Sequence, residues 1–161
     1  MTRRTLIPAA LALVALSAAF TAPAIAKWPP WLSIESPVNP FDPTARGAAF
    51  LVHAMMCEGS PQLADISGTA EGIVNGLRRS IPLRFDETGR PGVFAVRRQW
   101  PTEGTWLVRV ALRSTTAIVT LDQHGNVASA RVPTAISSGS ELPRSVAAHE
   151  IDSTLAAVAR R

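Results

Sequence analysis

From Gly47 onward the chain falls into runs of about five to ten residues separated by turn signals, the mark of an antiparallel β domain. The sharpest break is Asn75-Gly76, between ISGTAEGIV and LRRSIPLRF. A type I′ two-residue hairpin loop needs positive φ at both positions, and Asn-Gly adopts that conformation at little cost. Past this turn Leu77, Ile81, Leu83 and Phe85 alternate with polar neighbours, which predicts a strand with one buried face. VFAVRRQW and TWLVRVALR, joined by PTEG, read as another hairpin. Phe94, Val96 and Trp100 share one face there, and Trp106, Val108, Val110 and Leu112 share another. Arg109 and Arg113 turn towards solvent. TTAIVTLD and VASARVP follow across the turn Gln123 to Asn126. About seven short strands at this spacing predict a β-sandwich.

The flanks differ from this middle. KWPPWLSIESPVNPFDPTAR, from Lys27 to Arg46, carries prolines at 29, 30, 37, 40 and 43. Proline removes backbone donors and is excluded from helix interiors, so this stretch is an extended strap with room for one short edge strand near Leu32 to Glu35. At the other end, Ile151, Leu155 and Val158 recur at i, i+4 and i+7 after the Ser/Gly-rich ISSGSELPR, predicting a helix docked on the sandwich. The N-terminus, MTRRTLIPAALALVALSAAFTAPAIA, has two arginines, an apolar run and a small-residue A-x-A ending. That layout is a secretory signal peptide cleaved after Ala26. The chain thus divides into a signal peptide over 1–26, a proline-rich strap over 27–46, a sandwich domain over 47–133, a linker over 134–144 and a C-terminal helix over 145–161.

Export makes the cysteine count informative. Cys57 is the chain's one cysteine, so no internal disulfide staples the fold and the core must hold it. A secretory leader without a disulfide framework points to a bacterial envelope, hence a periplasmic or secreted protein that meets the membrane only through its leader. The formal charge of +4 overstates the basicity of the mature chain, because Arg3 and Arg4 leave with the leader. The remaining arginines are scattered rather than clustered, which argues against a nucleic-acid partner.

GRPGVFAVRRQWPTEGTWLVRVAL resembles a pattern shared by small extracytoplasmic immunoglobulin-like modules, especially YtkA-like domains and their relatives in respiratory-oxidase assembly. In these a strand begins at a glycine with an aromatic two residues on, as at Gly92 and Phe94. A Pro-x-x-Gly-x-Trp turn then opens the next strand, as at Pro101, Gly104 and Trp106. GTAEGIVNGLRRSIPLRF also resembles the opening of carboxypeptidase-regulatory-like or transthyretin-like modules. The resemblance implies an immunoglobulin-like sandwich, a non-catalytic role in binding or assembly, and an envelope protein as partner. Some relatives handle copper through His and Met residues.

Two groups of residues are candidates for function. Trp28 and Trp31, in the W-P-P-W of the strap, form an aromatic pair suited to a protein partner. In FLVHAMMCEG, strand alternation puts His53, Met55 and Cys57 on one face, where imidazole and soft sulfur suit Cu(I). The structural alternative is a buried central strand, since Met and free Cys are ordinary core fillers. His124 completes such a site only if its turn is folded over this strand. The tryptophans Trp100 and Trp106 are a further ligand-binding possibility, against which strand alternation buries both rings. Catalysis finds less support. Cys57 and His53 lie about 13 Å apart on an extended strand, too far for a nucleophile and its base. No G-x-S-x-G, H-E-x-x-H or phosphate-binding glycine loop is present, and a non-enzyme without cofactor is expected, copper being the alternative.

Overall fold

A computed structural model describes residues 28–57, 59 and 61–160. The signal peptide and its cleavage point lie outside the described residues. Two antiparallel sheets face each other. The first contains β1 (Trp31–Glu35), β2 (Ala48–Met55), β5 (Asp86–Glu87) and β6 (Val93–Arg97), in the order β1-β2-β6-β5. The second contains β3 (Ile66–Val74), β4 (Leu77–Pro82), β7 (Thr105–Leu112), β8 (Thr115–Leu121) and β9 (Val127–Arg131), in the order β4-β3-β7-β8-β9. These orders match A-B-E-D facing C′-C-F-G of the immunoglobulin fold, with β9 added beyond the last strand. The protein is therefore an immunoglobulin-like β-sandwich, carrying more strands than the seven expected.

Alternation decides which side chains fill the space between the sheets. Phe50, Val52 and Ala54 from β2 and Phe94 and Val96 from β6 meet Trp106, Val108, Val110 and Leu112 from β7. Each such burial is worth about 1.5–3 kcal/mol, so this layer is the main source of stability in a chain without disulfides. Two smaller layers cover the outer faces. Leu51 and Ala95 are capped by Val38 and Ala45 of the strap. Leu107 and Ile118 are capped by Val146, Ile151 and Leu155, the last two from α1 (Ala148–Ala159). β2 is apolar on both faces because both of its faces are covered along most of its length.

Several expectations need correction. VFAVRRQW and TWLVRVALR are not a hairpin. β6 pairs with β2 and β5, β7 pairs with β3 and β8, and PTEG carries the chain from one sheet to the other. The inward faces of both strands meet in the core from opposite sides, a pattern that alternation cannot tell from a hairpin. Leu77 is exposed; it stands at the hairpin tip, opposite Val74 and next to the Asn75-Gly76 turn. The edge strand expected near Leu32 to Glu35, by contrast, is present: Trp31–Glu35 pairs with β2 along its whole length. The segment 134–144 is not a linker. It forms the hairpin β10 (Thr134–Ser137) and β11 (Ser140–Pro143), turned by Ser138 and Gly139 with φ of 50° and 79°. Positive φ at both turn positions is the same device used at Asn75-Gly76. Arg144 ties this hairpin down: its carbonyl accepts from the Thr116 N–H, and its guanidinium grips the Glu150 carboxylate at 2.6 and 2.8 Å.

Candidate functional site

The site is built by the β1–β2 ladder. Trp31 stands opposite Met55, Ser33 opposite His53 and Glu35 opposite Leu51. Leu32, Val52 and Ala54 point into the core, so this alternate set points outward. The strap covers Leu51 and leaves the rest of the row open. Just ahead of β1, the buried Thr115 hydroxyl donates to the Pro30 carbonyl and fixes where the chain enters the sheet. Just past β2, Met56 packs partly against the core and Cys57 lies exposed at a bend.

These pieces enclose a shallow hollow of about 280 Å³, lined by Trp28, Pro29, Trp31, Met55, Met56 and Cys57. Trp28 is 63% exposed, Trp31 48% and Met55 57%, so large apolar surface is left in water here. The Cys57 thiol points at the Trp28 carbonyl across 4.0 Å, a weak contact. Residues proposed separately, the two tryptophans and the sulfur residues of HAMMC, thus form one surface.

His53 does not line it. Its Nε2 lies 2.7 Å from Glu35 Oε2, an ion pair when the imidazole is protonated and a hydrogen bond otherwise. The single-face reading of His53, Met55 and Cys57 also needs revision, because β2 ends at Met55. Cys57 enters the hollow from the bend rather than by alternation. Glu35 and Met56 were missed as members of this region. Met56 could have been found from the bend-prone Cys57–Gly59 after it, whereas Glu35 carries no local signal and needs the β1–β2 register.

His124 is at the other end of the sandwich. Thr115, at one end of β8, touches Pro30; beyond the other end, the His124 carbonyl accepts from Arg98 at 2.8 Å. The seven residues of β8 separate the two by about 20 Å. A larger hollow of about 480 Å³ lies on that side, between the β8–β9 turn, the start of β7 and Val158 and Ala159. Its one carboxylate is already used. Asp122 accepts from the Asn126 and His124 N–H groups, both at 2.8 Å, and these bonds, Asn126 foremost, hold its pKa down. Trp106 borders this hollow with only 4% of its surface exposed, and Trp100 does not line it. Both are buried, and their N–H groups donate to the carbonyls of Glu103 and Gly125. Among the described residues no three His, Cys, Asp or Glu side chains gather in one place. No helix among them is long and apolar enough to cross a membrane.

The fold and this surface define the class: an immunoglobulin-like sandwich with an exposed aromatic and sulfur-lined hollow at one end of an edge strand. No family model, no curated protein and no solved structure matches the chain.

Proposed function

We propose that the protein is an exported, non-catalytic interaction module that docks an envelope protein at the Trp28, Trp31 and Met55 hollow. The observation that carries this reading is the convergence of two exposed indoles and an exposed thioether on one surface. The outer faces of the two sheets are covered where they are apolar, by the strap over Leu51 and Ala95 and by the helix over Leu107 and Ile118. Tryptophan and methionine are enriched where proteins bind each other, because they give large contact area and adapt to the partner's shape. β1 is also an edge strand, so its outer backbone groups can receive an extended segment of the partner beside the hollow. The leader supports export, and the resemblance to YtkA-like modules supports a role in envelope assembly.

A photo-crosslinking amino acid at position 31, expressed in the bacterial envelope, tests this. The expected result is one discrete adduct to an envelope protein, absent when the probe is moved to Phe41, an exposed aromatic of the strap. No adduct at 31, or the same adduct at both positions, overturns the reading.

A further inference from the structure

We infer that the hollow receives a proline-rich segment of its partner, lying across the two exposed indoles in the polyproline II conformation; this rests on the docking reading above. The strap passes the hollow as Trp28-Pro29-Pro30-Trp31. Proline fixes its own φ and pushes the residue before it out of the helical region, so Trp28, Pro29 and Pro30 are extended. At about 3.1 Å per residue, three residues set the two tryptophans roughly 9 Å apart, one turn of a polyproline helix. Both line the same hollow and remain 63% and 48% exposed, so two ring surfaces stand one such turn apart.

Hydrogen bonding decides between a strand and a polyproline segment over this stretch. A strand laid there brings N–H groups that need acceptors, and it needs donors in return. Pro29 and Pro30 have no N–H to give to a ladder. The Pro30 carbonyl already accepts from the Thr115 hydroxyl, and the Trp28 carbonyl faces the Cys57 thiol at 4.0 Å. Free donors stand there instead. Among the described residues the indole N–H groups of Trp28 and Trp31 have no hydrogen-bond partner, whereas those of Trp100 and Trp106 each donate to a carbonyl. A proline-rich segment is the complement of such a surface, because it brings carbonyl acceptors and no N–H in need of a partner. Its rings pack on the indole faces, and its preformed helix loses little conformational freedom on binding. The lining residues include no Lys, Arg, Asp or Glu, so an uncharged run fits.

Acetylated, amidated decaproline titrated into the isotope-labelled mature protein tests this through the indole N–H signals of its four tryptophans. The Trp28 and Trp31 signals should move saturably, and the buried Trp100 and Trp106 signals should stay in place. Trp31→Phe keeps a ring but removes the donor, and should weaken binding about threefold to tenfold. The rest of the spectrum reports that this variant is folded, as its exposed position allows. A Thr- and Val-rich, strand-forming peptide of the same length should leave all four signals in place. Unmoved Trp28 and Trp31 signals, equal movement with the strand-forming peptide, or parent affinity in Trp31→Phe overturns the inference. A crosslink from position 31 to an envelope protein beside unmoved indole signals overturns it while the docking reading stands. Saturable decaproline binding without a crosslink supports the ligand chemistry and strikes the envelope partner alone.

Discussion

Trp31 and Met55 face each other across the β1–β2 ladder and bring the proline-rich strap and the HAMMC segment onto one surface. Neither residue belongs to the buried core, as their exposures of 48% and 57% show. Trp31→Ala should therefore change the unfolding free energy by no more than about 1 kcal/mol, while removing most of the indole surface from the hollow. Urea denaturation followed by the fluorescence of the buried tryptophans measures it. A loss several times larger would place Trp31 among the residues that hold the sandwich together.

Gly72 makes the opposite case. It is the register partner of Trp106, and a Cβ at residue 72 would lie 2.4 Å from that indole. The ring cannot retreat, because its N–H donates to the Glu103 carbonyl at 2.7 Å and the core lies around it. Gly72→Ala should cost about 2–3 kcal/mol, seen as a lower urea midpoint with altered tryptophan emission. A midpoint matching the parent would mean that Trp106 does not lie flat on this glycine.

The Arg144–Glu150 clasp makes stability depend on acid. Hydrogen bonds from Arg144, then from the Ala147 N–H, hold the Glu150 carboxyl at about 2, below its ordinary 4.5. A carboxyl depressed in the folded state stabilises the fold above its unfolded pKa, and that contribution fades as pH falls from about 4.5 to about 2. Glu150→Gln should thus be less stable than the parent at pH 6, with the difference closing as the pH approaches 2. Urea midpoints of both proteins across that range check it. A constant gap would show that the clasp is not ionic.

Cys57 is exposed, so a thiol-reactive reagent should label the folded protein at a rate close to that of the urea-unfolded chain. Mass spectrometry over time reads both rates. Protection until unfolding would put the thiol inside the core and remove it from the hollow.

Much of the fold is legible in the sequence for local reasons. Asn75 and Gly76 adopt φ of 51° and 75°, as their hairpin requires, and the alternation of Val108, Val110 and Leu112 becomes a fully buried face. Ile151 and Leu155 do bury the helix stripe. What stays hidden is non-local. Inward-facing Val96 and Val108 look alike whether β6 and β7 pair or face each other across the core. The β10–β11 hairpin reads as a linker because Ala135 and Ile136 are exposed and give no alternating signal. In the site, Trp28, Trp31 and Cys57 are recognisable by type. Their union, and the withdrawal of His53 to Glu35, exist only in the register between β1 and β2.

The most direct measurement is the affinity of the partner captured through position 31 for the parent protein and for the Trp28→Ala/Trp31→Ala double variant, with Phe41→Ala as control. If the hollow is the docking surface, the double variant should bind about 100-fold more weakly, as expected when two central aromatic anchors are removed, and the control should bind as the parent does. Equal affinity for the parent and the double variant would contradict the account and place the binding surface elsewhere on the sandwich.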